Sequence, residues 1–246
     1  MRRPSVFAAV TAVFLLAATP AFAAKSPESR IRHRLDVAIQ RTAAAKSLAV
    51  RGVAELGDTG GPRRPFYRLE DRFEDDGTPK NDLRRFPPGS WTGQPTNQIL
   101  AVGNRAWYRA KADLYRQATL GPKVTTGFEK ELAGLERGVA VGRDLKPLGA
   151  RRYELTVPSS AFNGPEVEAQ PTTLVVSLSA DGHLRKLRRI EEESGLVAII
   201  AETFTDFGRS FAIAPPPADA IVEGPAKEVT TQNEFGTLLG PTAFEA

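Results

Sequence analysis

The chain has 246 residues, 41% of them hydrophobic and 25% charged, an ordinary balance for a globular protein. It carries no cysteine, which excludes disulfides, thiolate metal sites, a cysteine nucleophile and a lipid-modified cysteine. The net charge of +4 falls to +2 if Arg2 and Arg3 leave with a leader, too little to point to nucleic acid as a partner.

Met1-Arg2-Arg3 is a short basic segment, residues 6–18 are almost entirely apolar, and Ala21-Phe22-Ala23 has the small-x-small pattern of a cleavage site. This predicts an export signal over residues 1–24. The apolar run is shorter than the roughly 20 residues a membrane-spanning helix needs. A single domain is expected over 25–222, followed by a polar tail over 223–246.

Ser26, Pro27 and Glu28 suit an N-cap, a first helical position and a first-turn acid. Ile31, Leu35, Ala38 and Ile39 then recur at helical spacing, so a helix is expected over 26–42. Leu48, Val50, Gly52, Ala54 and Leu56 alternate along a first strand, 47–56. A glycine- and proline-rich turn separates it from a second, 66–74, in which Tyr67, Leu69 and Phe73 share one face. Residues 78–95 carry Pro79, Pro87, Pro88 and Pro95 and read as a long loop. Residues 98–102 and 105–109 pair around Gly103-Asn104, with Trp107 and Tyr108 on the second strand.

Phe128, Leu132 and Leu135 predict a short helix over 126–135, followed by strands at 138–142 and 152–157. Three strands then follow in succession, 172–179, 184–192 and 196–207, with a short fourth at 211–214. Asp181-Gly182 marks a turn between the first two. Pro215-Pro216-Pro217 cannot continue a sheet, which places the end of the domain near Val222.

The strand beginning at Leu196 is apolar on both faces. Leu196, Ala198, Ile200 and Phe204 lie on one, and Val197, Ile199 and Ala201 on the other. An antiparallel strand with one wet face should alternate. The strand is therefore either central and covered on both sides, or it lines a cavity.

No catalytic constellation is visible. His33 sits among Arg30, Arg32 and Arg34, and His183 follows the Asp181-Gly182 turn; both read as surface histidines. No Gly-x-Ser-x-Gly elbow, His-Glu-x-x-His or P-loop occurs. Asp206-Phe207-Gly208 spells a kinase tripeptide without the rest of a kinase. Glu70, Asp71, Glu74, Asp75 and Asp76 lack the spacing of a calcium loop and read, like Glu191-Glu192-Glu193, as solvated charge. The pairs Arg63-Arg64, Arg84-Arg85, Arg151-Arg152 and Arg188-Arg189 read as edge or loop solvation. Arg84 and Arg85, in the long loop, are the candidates for contact with anionic head groups or a membrane surface.

The order of elements is also familiar. A leader and a helix precede "SLAVRGVAEL" and a "VGNRAWYRA" hairpin. "GVAVGRDLKPLGARRYELTV", a "TTLVVSLSADGHLRKLRRI" hairpin and a closing "FTDFGRSFAIAPPPADAIV" follow. This resembles the mycobacterial LppX/LprG-type lipid-binding proteins within the wider LolA-like group, over roughly residues 29–222. The resemblance implies an α+β fold: a curved, half-open antiparallel sheet, a half-barrel, with helices over its concave face. It implies a carrier of acyl lipids or glycolipids, with no catalysis, cofactor or metal. With it, the cavity reading is favoured. The candidate wall is then Tyr67, Leu69, Phe73, Trp107, Tyr153, Leu155, Leu174, Val176, Leu178, Leu196, Ala198, Ile200 and Phe204.

The chain departs from that group in having no lipobox cysteine, so it is expected to be soluble after export to the envelope space or beyond. An anionic membrane surface or an envelope protein are further candidate partners. The competing expectation is an envelope structural or interaction module with a filled core and no ligand.

Overall fold

The computed structural model describes residues 26–111, 113–120, 127–163 and 170–229; the expected leader lies outside them. Helix α1 (Pro27–Ala43) opens as its cap sequence requires. Ser26 accepts a hydrogen bond from the Ser29 amide through its side chain, with Pro27 in the first turn. Leu35, Ala38, Ile39 and Thr42 form its buried face. Then come β1 (Ser47–Asp58), β2 (Arg64–Asp75), β3 (Pro79–Phe86), β4 (Asn97–Val102), β5 (Arg105–Ala110) and β6 (Tyr115–Leu120). Helix α2 (Gly127–Val141) leads to β7 (Arg143–Gly149), β8 (Arg152–Pro158) and the short α3 (Ser160–Asn163). The chain closes with β9 (Pro171–Leu178), β10 (Leu184–Glu193), β11 (Leu196–Thr205) and β12 (Ile221–Val229).

All twelve strands belong to one sheet, in the order β12-β6-β5-β4-β3-β2-β1-β11-β10-β9-β8-β7. Pairing is antiparallel except between β12 and β6, which run parallel. The end strands β12 and β7 do not pair with each other, so the sheet is open. The fold is α+β, a curved, half-open sheet with few helices.

The helices lie on one face, which we call inner. They pack against β7, β8 and β10. Leu35, Ile39, Leu132, Leu135 and Val139 meet Leu155, Leu174, Val176, Leu187 and Phe204 in the main core. Burying each such side chain contributes roughly 1.5–3 kcal/mol. Helix α2 approaches closely: a Cβ added at Gly134 would stand 2.5 Å from Phe162 Cδ1, and one at Gly142 2.8 Å from Leu155 Cδ1. Arg32 of α1 donates to Val139 O and, at 2.6 Å, to Gly142 O, satisfying carbonyls at the end of α2.

On the outer face, the segment after β11 runs back to the far edge of the sheet. Ser210 Oγ and the Phe211 amide donate to the Glu74 carboxylate at 2.9 and 3.1 Å. Ile213 then packs on Leu100 and Trp107.

Four expectations are corrected here. The long loop over 78–95 contains strand β3, paired on both sides by β2 and β4. Its prolines sit only at the ends, Pro79 at the first position and Pro87 just beyond Phe86, where no ladder bond is lost. The expected strand at 138–142 is the last turn of α2, because Leu132, Leu135 and Val139 continue one helical stripe. Gly138 fits this helix because a Cβ there would meet Val157 Cγ1 at 3.3 Å. Residues 211–214 are irregular, with Ala212 at φ 51°. Beyond Pro217 the sheet resumes with β12, which carries it past Val222.

Candidate functional site: the inner face of the sheet

Register decides which side chains share this face. Val50 lies opposite Phe204 and Asp71, Ala54 opposite Ile200 and Tyr67, and Asp71 opposite Leu83. Leu83 in turn faces Ile99, and Ile99 faces Tyr108. Two apolar clusters result. Tyr153, Leu155, Leu174, Val176 and Phe204 belong to the helix-covered core, with Phe73 and Leu178 at its margin. Tyr67, Leu69 and Ile200 join Leu83, Ile99 and Tyr108 in a second cluster that, among the described residues, contains no helical side chain. Ala198 is buried on the same face, and Leu196 is half-buried at the start of β11. Trp107 is apart from the rest: it packs with Leu100 and Ile213 on the outer face.

Strand β11 is buried on both sides. Val197 and Ile199, on the outer face, are 1% and 2% exposed. Arg84 and Arg85 lie in β3 on opposite faces. Arg84 pairs with Asp82 at 2.5 Å, whereas the Arg85 guanidinium lies over the Tyr67 ring, 5.6 Å from its centroid.

The inner face also carries charge that sequence reasoning placed in solvent. Arg189, read as part of an edge-solvating pair, is 1% exposed. Its Nε lies 3.2 Å from Glu191 Oε1, and its Nη1 4.0 Å from Glu131 Oε1 of α2. These are ion-pair distances without hydrogen-bond alignment: none of its three nitrogens has a hydrogen-bond partner among the described residues. The Phe162 ring covers the guanidinium, its centroid 4.7 Å away. Thr172 Oγ1, Glu191 Oε1 and Glu202 Oε2 are likewise buried without a hydrogen bond. Leaving a buried polar group unmatched costs roughly 1–3 kcal/mol, and more for a charge.

Burial, reinforced by the nearby Glu131 carboxylate and opposed by Arg189, holds the Glu202 carboxyl well above the usual carboxylate range. Burial likewise pushes the Tyr67 hydroxyl up, against the pull of Arg189.

The acidic cluster of β2 is also not solvated as expected. Glu70 is buried and pairs with Arg51 and Arg72 at 2.9 and 2.8 Å. Asp71 is buried on the inner face and accepts from Asn81, and Glu74 holds the segment at Ser210.

The signal that places Arg189 inside is a bulge. Register shifts between Leu184 and Lys186, so Leu184 and Leu187 both turn inward, and Arg189 and Glu191 follow in phase with Leu187.

Two open grooves lie elsewhere on the surface. One, of about 480 Å³, runs beside α1 past Arg34, Arg41, Arg151 and Tyr153. The other, of about 650 Å³, lies by Glu74, Asp75 and Asp76. His33 is exposed on α1, whereas His183 stacks on Phe207 and bonds Asp181 at 3.0 Å. Hydrogen bonds from Ser179 and His183 lower the Asp181 carboxyl to about 2. Among the described residues no group of histidine and carboxylate side chains could hold a metal ion.

No protein-family model matches the chain, and no curated protein matches it. Solved structures do match. LprF from Mycobacterium bovis aligns at a TM-score of 0.48 with 14% identity, over 78% of this chain and 98% of that one. Lipoprotein LppX from Mycobacterium tuberculosis aligns at 0.43 with 9% identity, over 75% and 98%. A LolA superfamily protein from Nitrosomonas europaea aligns at 0.28 with 14% identity, over 78% and 97%. At these identities and with each of these TM-scores below 0.5, the chain's own side chains must carry any statement of function.

Proposed function

We propose that this chain is an exported protein that binds acyl lipids or glycolipids against the inner face of its sheet, without catalysis. The observation that supports the reading is the second apolar cluster, in which Tyr67, Leu69, Leu83, Ile99 and Ile200 face inward and, among the described residues, no helical side chain joins them. Ligand sites are concave and mostly apolar, with few polar anchors. An acyl chain laid on such a surface gains roughly 0.8 kcal/mol per buried methylene, so about a dozen methylenes suffice without a sharp binding motif. Inner-face placement also supports the other proposed wall residues, Trp107 excepted. Arg85, over the Tyr67 ring, is better placed than the paired Arg84 to meet an anionic membrane surface. Export is supported by the leader-like residues 1–24. Among the described residues no helix is long and apolar enough to cross a membrane.

The close packing at Gly134 and Gly142 favours a second reading, an envelope module whose core is filled. Mass spectrometry of an organic extract of the purified protein, with uptake of a fluorescent acyl probe, separates the two. Co-purifying lipid and saturable uptake are expected. Ile200→Asp, which places a carboxylate in the second cluster, should abolish uptake in a protein whose circular dichroism is unchanged. A clean extract together with no uptake leaves only the filled-core module.

A further inference from the structure

We propose that Arg189, Glu202, Glu191 and Thr172 form a buried polar anchor for an uncharged, hydroxylated lipid head group. The proposal rests on the acyl-binding reading and adds the chemical class of the head. The four residues come from three adjacent strands and share the inner face. Thr172 lies directly opposite Glu191. Arg189 follows two positions back on β10, opposite Ile200 of the second apolar cluster. Glu202 is the next inward residue after Ile200 on β11. An acyl chain on that cluster would thus run directly into the polar group.

The second observation is the unused hydrogen-bonding capacity. Arg189 is 1% exposed, and its Nε, Nη1 and Nη2 all lack a hydrogen-bond partner among the described residues. Thr172 Oγ1, Glu191 Oε1 and Glu202 Oε2 do too. Buried polar atoms are ordinarily matched by protein, water or ligand. This set offers guanidinium donors, a hydroxyl that both donates and accepts, a carboxylate acceptor at Glu191 and a carboxyl group at Glu202 on the neighbouring strand.

Charge selects the class of head. Glu131 and Glu191 lie 4.0 and 3.2 Å from the Arg189 guanidinium, and the buried Glu202 carboxyl shares their face. A phosphate or a fatty-acid carboxylate placed there would meet the Glu131 and Glu191 carboxyl groups in a low-dielectric site. An ammonium would in turn meet the Arg189 guanidinium, which lies beside both of these carboxyl groups. Hydroxyl groups fit, because each donates to a carboxylate and accepts from an N–H.

The test is displacement of a bound fluorescent acyl probe, near neutral pH, by ligands sharing one acyl chain. These are monopalmitoylglycerol, palmitate, palmitoyl lysophosphatidate and palmitylamine. Monopalmitoylglycerol should displace with at least about a tenfold lower Kd than each of the others. In Thr172→Val and Glu202→Gln, both near-isosteric, that preference should fall to within about threefold. Arg189→Met should remove it too, and the conservative variants keep the test decisive if Arg189→Met does not fold. Equal displacement by all four ligands, or preference for a charged one, overturns the anchor while leaving acyl binding intact. Preserved preference in both conservative variants also overturns it. Failure of every acyl ligand to bind overturns the lipid reading, and the anchor falls with it.

Discussion

Burial raises the Glu202 carboxyl well above the range of an exposed glutamate, and this makes stability depend on pH with a definite sign. Its ordinary value is 4.5, and its folded value lies well above that. The folded state therefore binds the proton more tightly than the unfolded chain does. Glu202's contribution is fully present below about pH 4.5 and is lost as pH rises through the raised folded value, by at most about 1.4 kcal/mol per pH unit. Glu202→Gln keeps the shape and removes the titration. In urea unfolding between acid and mildly alkaline pH, the variant should gain on the native protein steadily as pH rises. Comparing the two cancels the titrations they share. Parallel curves would mean that Glu202 ionises normally and that the inner face is wetter than its burial implies. Arg189 obeys a different logic at the same site: removing it leaves Glu131 and Glu191 buried without their cation, a loss of roughly 3–5 kcal/mol for a broken buried pair.

Helix α2 is where packing, more than hydrogen bonding, sets position. A Cβ at Gly134 would stand within 2.5–3.1 Å of three Phe162 ring atoms, and that ring also covers Arg189. Gly134→Ala gains roughly 1 kcal/mol of helix propensity but overpacks the α2–α3 contact by roughly 1–3 kcal/mol. The variant should unfold at lower denaturant, whereas Gly89→Ala, with open space around it, should not. A rise in the midpoint for Gly134→Ala would show that Phe162 yields freely. The same element marks how far the sequence was legible. Helix α1, β1, β2, the β4–β5 hairpin and β8 to β11 announce themselves by clean periodicity and turn residues. Strand β3 does not, because Leu83 and Phe86 are its only large apolar residues and prolines flank it. Strands β6 and β7 are short and polar, and α2 hides its last turn behind Gly138 and Gly142. That the apolar residues share one face was legible, Trp107 excepted: an alternating hairpin does not say which face is inner. The charged half was not, since the bulge at Leu184 that turns Arg189 inward exists only in the paired sheet.

Across the whole molecule the two faces of one open sheet serve different ends. The inner face holds both apolar clusters together with Arg189, Glu191 and Glu202. The outer face is where residues 206–220 cross from β11 to the far edge and deliver β12 beside β6, a parallel pairing. Glu74 anchors that crossing at Ser210 and Phe211, and Ile213 seats it on Leu100 and Trp107. Parallel pairing across a long connection closes late and gains little locally, so side-chain burial must hold the crossing. Ile213→Ala removes most of the buried apolar volume at its centre and should cost roughly 2–5 kcal/mol by denaturant unfolding. Uptake of an acyl probe by the folded variant should stay within about twofold of the native protein, a shift near 0.4 kcal/mol. That separation follows only if the binding wall is on the inner face. Loss of uptake by Ile213→Ala at full folding would move the wall to the side of Trp107 and make the residues after β11 its cover.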